Sequence, residues 1–211
     1  MHFSELALDK TILKAIKEIG YDTPTPIQEK TIPLVLENKD VIGSAQTGTG
    51  KTAAYALPII EKLIWNQNVA KKSKKIRALI ISPTRELAVQ IQDDFKAYGQ
   101  FTNLRTAVVF GGTSIEPQKD KINKGVDILI ATPGRLLDLR KQEIINLSHI
   151  QTLVLDEADL MLDMGFIDDV KKIVKVCPRN RQILLFSATM PKKVSQLATE
   201  ILNNPEKVAI S

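Results

Sequence analysis

The sequence predicts an α/β domain with a mostly parallel central sheet and helices on both faces. Three observations point there. Short apolar runs recur along the chain, and segments with apolar residues at helical spacing lie between them. The best of these runs are apolar throughout, as in strands covered on both faces. The turns from each run into the next helix hold the polar and glycine-containing clusters, which a parallel sheet gathers along one rim.

At the start, Asp9 can cap a short helix bearing Leu13, Ile16 and Ile19. Thr23-Pro-Thr-Pro26 then breaks the chain before a second helix, with Pro26 suited to its first turn. Residues 1–38 are read as a helical extension of the same domain, and residues 39–211 as its main body. Asp40-Val-Ile-Gly-Ser44 reads as a buried strand, and Lys51 to Ile60 as the start of the helix after it. The further strands are Arg77–Ser82, Thr106–Phe110, Val126–Ala131, Thr152–Asp156 and Gln182–Ser187. Leu87, Ile91, Phe95 and Tyr98 mark one helical stripe; Val194, Leu197, Ala198, Ile201 and Leu202 mark another.

The chain has 211 residues, enough for a sizeable core, and a formal net charge of +5. It holds no run of about 18 apolar residues, so an integral membrane protein is not expected. No basic, apolar and small-residue order follows Met1, so no secretory leader is read. Cys177 is the single cysteine. No disulfide or cysteine-rich metal site can form within the chain, and a cytoplasmic setting is expected. The positive excess hints at a polyanionic partner. Part of it lies in Lys71-Lys-Ser-Lys-Lys75, which reads first as a solvated loop and second as a nucleic-acid contact.

Two segments carry the chemistry. Between the strand ending at Ser44 and the helix starting at Lys51 lies Ala45-Gln46-Thr47-Gly48-Thr49-Gly50. Such a loop can turn backbone N–H groups onto phosphate oxygens, and the helix N-terminus adds partial positive charge there. Lys51 would reach the β- and γ-phosphates, and the Thr52 hydroxyl would ligate Mg²⁺. Ala45 stands where the general pattern has glycine; alanine serves where the backbone needs no positive φ. The plainer alternative is a turn with a surface lysine and threonine. Since Lys51 would sit at a phosphate site rather than in the core, its removal is expected to cost little stability.

The second segment is Val154-Leu-Asp-Glu-Ala-Asp159. Asp156 sits at the carboxyl end of an apolar strand, where it would hold Mg²⁺ through water. Glu157 is placed to orient or deprotonate an attacking water. Acidic residues also open helices merely to offset the macrodipole. Together the two segments point to a nucleoside triphosphate bound with Mg²⁺ and hydrolysed.

Further segments occur in a telling order. Phe3 and Gly20-Tyr21 precede Pro24-Thr-Pro-Ile-Gln28; then come Pro83-Thr-Arg-Glu-Leu-Ala88, Gly111-Gly112, Thr132-Pro-Gly-Arg135 and Ser187-Ala-Thr189. With Asp156-Glu-Ala-Asp159, these resemble the Q motif and motifs Ia, GG, Ib, II and III of the DEAD-box ATP-dependent RNA helicases. The resemblance covers nearly the whole chain and is to the first, RecA-like P-loop NTPase domain of that family. Asp156-Glu-Ala-Asp-Leu-Met-Leu-Asp-Met-Gly-Phe166 and Val109-Phe-Gly-Gly112 look like the bacterial RhlE-like subgroup.

The resemblance implies ATP and Mg²⁺ as cofactors and RNA as partner. Lys51, Asp156 and Glu157 would be catalytic. Gln28 would pair with the adenine edge, since its amide donates and accepts at once, and Phe3 or Tyr21 would stack on the purine, unless Phe3 only buries the extension. Pro83, Thr84, Arg85, Gly111, Gly112, Thr132, Gly134 and Arg135 would meet RNA sugar and phosphate with little sequence preference. For Arg85 and Arg135 an intradomain ion pair is the alternative. Asp159, Ser187 and Thr189 would couple the two sites, or merely satisfy a strand end. A second RecA-like domain is expected elsewhere in the enzyme, and this domain alone is expected to be monomeric and nearly inactive. The rivals are a different P-loop enzyme, such as a DNA helicase or small-molecule kinase, and a non-catalytic nucleotide-binding module.

Overall fold

The computed structural model describes residues 1–65 and 75–210. Of the basic run at 71–75, all but Lys75 lies outside the described residues.

After a 3₁₀ turn at Phe3–Glu5, two short helices open the chain: α1 at Lys10–Ile19 and α2 at Pro26–Leu36. Asp9 caps α1 by accepting the Thr11 N–H at 2.9 Å, and Gly20, at φ 98°, ends it. Thr25 and Gln28 form a reciprocal capping box on α2, with Pro26 at its first position. Ile19 departs from the expected stripe, being exposed at the end of α1.

The main body alternates strands and helices: β1 Val41–Ser44, α3 Lys51–Trp65, β2 Ala78–Ile81, α4 Arg85–Tyr98, β3 Thr106–Val109, α5 Glu116–Asn123, β4 Ile128–Ala131 and α6 Pro133–Lys141. It continues with β5 Thr152–Leu155, α7 Ala158–Asp163, α8 Ile167–Val176, β6 Gln182–Ser187, α9 Lys192–Ile201 and β7 Glu206–Ala209. The strands form one seven-stranded sheet in the order β3-β4-β2-β5-β6-β1-β7, and every pairing is parallel. β7 is absent from the sequence reading. It is a charged edge strand in which only Val208 is buried, so it lacks an apolar run and its outer side discourages further pairing.

Strand residues alternate between two cores. Ile80, Ile130, Val154, Leu184 and Phe186 pack with α1 to α4; Leu79, Ile81, Leu129, Leu155 and Leu185 pack with α5 to α9. Phe3, Ile12, Ile27 and Ile32 of the amino-terminal segment belong to the first of these cores. Gly43 in β1 has a steric cause: a Cβ there would collide with the Phe186 ring of the neighbouring strand.

The carboxyl ends of all strands face one rim. The sheet order divides it. β5, β6 and β1 bring Asp156, Ser187 and the Ala45–Gly50 loop to one half; β3, β4 and β2 bring Gly111, Thr132 and Thr84 to the other.

Candidate functional site

A cavity of about 620 Å³ opens on the first half of the rim. Its walls come from Gly20–Thr23, Thr25 and Gln28; from Thr47, Gly48 and Gly50–Ala53; from Asp156 and Glu157; and from α4 through Leu87, Gln90, Ile91, Asp94 and Tyr98. The α4 wall is missing from the sequence reading, where Leu87, Ile91 and Tyr98 register only as an apolar stripe and Gln90 and Asp94 not at all. Half-buried Asp94 has its carboxyl pushed above the usual value by burial and by Asp93.

The loop after β1 turns at Gly48 and Gly50, whose φ values are 88° and 83°. Thr49 closes it locally by donating to the Gln46 carbonyl at 2.7 Å. Ala45 is buried and its N–H donates to the Ser187 carbonyl at 3.3 Å. Gln46, Thr47 and Gly48 are exposed.

Lys51 is buried, at 6 % exposure. Its ammonium lies 2.7 Å from Asp156 Oδ1 and 2.7 Å from Glu157 Oε1. Burial pulls its pKa down, but the two carboxylates outweigh that and hold it above the ordinary lysine value. The premise that Lys51 stands away from the core is therefore corrected: it is buried between two acids in a largely water-excluded corner.

Asp156 is itself buried. Its Oδ1 also accepts the Glu157 N–H at 2.9 Å, and Oδ2 accepts the Tyr55 hydroxyl at 2.9 Å. Tyr55 is a partner that the sequence reading lacks; its place one helical turn after Lys51, on the same face of α3, is the available signal. Glu157 holds left-handed backbone angles, φ 56° and ψ 51°. For a residue other than glycine such a conformation costs about 1–3 kcal/mol and tends to occur at functional sites.

Gln28 is buried against the loop. Its Oε1 accepts the Thr25 N–H at 2.9 Å and its Nε2 donates to the Gly50 carbonyl at 3.1 Å. One amide hydrogen and one lone pair remain for a ligand. Phe3 is buried, its ring 6.4 Å from that of Tyr21 and stacked at 21°. Of the two, Tyr21 lines the cavity.

Asp159 is tied to the end of β6. Its Oδ2 accepts the Thr189 N–H at 3.1 Å and the Thr189 hydroxyl at 2.9 Å, while its N–H donates to Ser187 Oγ at 3.1 Å. Burial raises the Asp159 pKa, but donors from Thr189, Ser187 and Leu160 outweigh it and hold the carboxyl below the usual range.

On the other half of the rim, Gly111, Gly112 and Gly134 are exposed, and Thr84 and Thr132 are half-buried at the helix N-caps. Pro83 is buried and shows little of itself to the rim. Arg85 lies over the Phe110 ring, 4.7 Å from its centre. Arg135 donates to the Thr113 carbonyl at 2.9 Å and to Gln118 Oε1 at 3.3 Å. Among the described residues neither arginine meets a carboxylate, so the ion-pair alternative does not arise. Gln118, a further residue absent from the sequence reading, brackets Phe110 by contacting both its N–H and its carbonyl at 3.2 Å.

Among the described residues no cluster of three or more His, Cys, Asp or Glu could hold a metal by itself, and no helix is long and apolar enough to cross a membrane.

The family described as DEAD/DEAH box helicase matches residues 25–197. The chain is 52% identical over 210 residues to the ATP-dependent RNA helicase CshA of Limosilactobacillus reuteri, covering 100% of this chain and 41% of that protein. It is 50% identical to the DEAD-box ATP-dependent RNA helicase RhpA of Helicobacter pylori strain B128, over 99% of this chain and 41% of that protein. A crystal structure of a DEAD box protein from the hyperthermophile Methanococcus jannaschii superposes with a TM-score of 0.93 at 42% identity, over 100% of this chain and 56% of that one. The chain thus spans about two fifths of the length of these curated relatives.

Proposed function

Because the chain belongs to the DEAD/DEAH box helicase family, we propose that it is the ATP-binding domain of an ATP-dependent RNA helicase, acting with Mg²⁺ and a second RecA-like domain in the cytoplasm. The observation that carries this reading is the convergence of Lys51, Asp156 and Glu157 through two 2.7 Å contacts in one cavity.

The site suits ATP and Mg²⁺. The cavity, at about 620 Å³, falls within the range of about 300–1,000 Å³ common for small-molecule sites. Thr52 and Asp156 both line it and offer a hydroxyl and a carboxylate, the hard oxygen donors that Mg²⁺ takes alongside water and phosphate oxygens. When bound, Mg²⁺ would neutralise charge developing on the transferred phosphoryl group.

The chain's own residues then have definite tasks. Lys51 exchanges its two carboxylates for phosphate oxygens. Glu157, released from Lys51, accepts hydrogen bonds from the attacking water and orients or deprotonates it. Gln28 offers its remaining donor and acceptor to the adenine edge, and Tyr21 its ring. The half of the rim at β3, β4 and β2 meets RNA through Arg85, Arg135 and the backbone N–H groups of Gly111, Gly112 and Gly134. These are contacts to sugar and phosphate, so recognition is independent of base sequence. The Asp159–Thr189 bonds link the Asp156–Glu157 turn to the end of β6.

The test is nucleotide hydrolysis by the full-length protein with RNA or DNA of equal length. Stimulation by RNA and not by DNA is expected. Equal stimulation by DNA would favour a DNA helicase, and no hydrolysis under any condition would favour a non-catalytic module.

A further inference from the structure

Asp156 is gripped from α3 at two points one helical turn apart. Lys51 takes Oδ1, and the Tyr55 hydroxyl donates to Oδ2 at 2.9 Å. The two contacts differ in permanence. Lys51 sits on a flexible stem beside a loop with two positive-φ glycines, and under the reading above it leaves for the phosphates. Tyr55 cannot leave. It is fully buried, and its ring packs against Phe186 at 5.4 Å and Phe95 at 6.2 Å between centres. Phe186 in turn fills the space that Gly43 leaves open. The Thr52 side chain is a further neighbour of the phenol.

We propose that Tyr55 is a positioning residue for the metal site: its hydroxyl pins Oδ2 of Asp156, so that Oδ1 stays turned to the cavity when Lys51 departs. The proposal rests on the Mg²⁺–nucleotide reading of that site. Without Lys51, Oδ1 keeps the Glu157 N–H at 2.9 Å, but Oδ2 of the buried carboxylate is costly unless a donor holds it too, and the last side-chain torsion is broad. A fixed phenol satisfies Oδ2 and, together with the Glu157 N–H, limits that torsion. It makes Asp156 ready for Mg²⁺-bound water without reorganisation.

The experiment compares the full-length protein with its Tyr55→Phe variant by equilibrium titration of a fluorescent ADP analogue, in EDTA and over a range of Mg²⁺ concentrations. In EDTA the two should bind alike, because Lys51 and the loop are unchanged. With Mg²⁺, the variant should need about three- to tenfold more metal for half of the full gain in affinity, as expected for one hydrogen bond to a charged group that partly reforms with water. In an Asp156→Asn background, Tyr55→Phe should then have no further effect on Mg²⁺ dependence. An unchanged Mg²⁺ requirement would overturn the proposal. So would an equal loss in EDTA and in Mg²⁺, or an undiminished effect in the Asp156→Asn background, since either would make Tyr55 a packing residue only. A wild-type protein whose nucleotide affinity ignores Mg²⁺ would instead overturn the reading of the site itself.

Discussion

Lys51 Nζ lies 2.7 Å from Asp156 Oδ1, so the cation proposed for phosphate and the carboxylate proposed for metal neutralise each other. Glu157 completes the cluster from the other side. Under the proposed function, nucleotide binding would take the form of an exchange. The phosphates would draw Lys51 away from two acids, and Mg²⁺ would restore positive charge beside them. Metal and nucleotide would then depend on each other.

Lys51→Ala should consequently show two effects. ATP affinity should fall, because the cradle loses its point charge. Without nucleotide the protein should also lose stability, by about 3–5 kcal/mol, because two carboxylates remain close together without their partner. Urea unfolding in the absence of nucleotide measures the second effect. A variant as stable as the wild type would mean that the contacts with Asp156 and Glu157 contribute nothing in solution.

Glu157→Gln should leave nucleotide binding largely intact and slow hydrolysis by about 10²–10⁴-fold, the usual range for loss of a general base. The amide keeps the size of the side chain and an acceptor for Lys51, but not the charge. Single-turnover hydrolysis beside a binding titration separates the two effects. If affinity fell while turnover per bound ATP did not, Glu157 would belong to the structure of the turn rather than to the chemistry.

Gln28 carries two burdens, one toward the loop and one toward the base, and two variants both remove the second. Gln28→Glu keeps an acceptor for Thr25 N–H but loses the donor to the Gly50 carbonyl and to a base. Gln28→Ala removes every side-chain hydrogen bond. Both should erase a preference for ATP over GTP, because a mismatched edge leaves buried polar groups unpaired. Equal affinity of the wild type for the two nucleotides would refute the assignment.

The physics explains what could be read from the sequence. β2, β4, β5 and β6 are legible because they are buried on both faces and so wholly apolar. β7 is not, since an edge strand with one buried residue gives no such run. Gln28 and Asp159 stand out by their local neighbours, and Thr25 lies only three residues from Gln28 in the capping box. Tyr55 does not stand out. A tyrosine among apolar helix residues reads as core, and nothing local says that its hydroxyl meets a carboxylate 101 positions away. The left-handed backbone of Glu157 is equally silent, because the residue type argues against it. The charge on Lys51 was legible; its burial was not, since that depends on how the loop folds over Asp156.

Away from the cavity, Asp127 should dominate acid sensitivity. It is buried and bonds Arg77 at 3.3 Å and Arg105 at 3.1 Å. Burial pushes its carboxyl up, but the bonds from Arg105 and Arg77 outweigh this and hold it below the usual range. With the folded pKa below the unfolded one, its contribution is fully present above about pH 4 and fades as pH falls through the lower folded value. Asp127→Asn should destabilise the protein by about 3 kcal/mol near neutrality. The gap between variant and wild type should narrow below pH 4. A gap that is constant down to pH 2 would show that the charge of Asp127 is not what the arginines require.

The last prediction concerns residues 1–211 by themselves. On their own they should bind nucleotide and RNA weakly and hydrolyse ATP hardly at all. Under the proposed function Lys51 and Mg²⁺ would neutralise only part of the charge on a transferring phosphoryl group, and an arginine supplied from outside is typically worth ~10³–10⁵ in rate in related systems. Arg85 and Arg135, the rim's cations toward RNA in this reading, are each already held, by the Phe110 ring and by Thr113 with Gln118. With about two phosphates neutralised, the logarithm of RNA affinity should fall with the logarithm of salt at a slope of about −1.4. Joining the second domain should raise RNA-stimulated turnover by supplying the missing arginine and by closing the site against water. It should also steepen the salt slope, as more phosphates are met. Strong RNA-stimulated hydrolysis by residues 1–211 alone would show that the site is complete within one domain, and the arginine argument would fall.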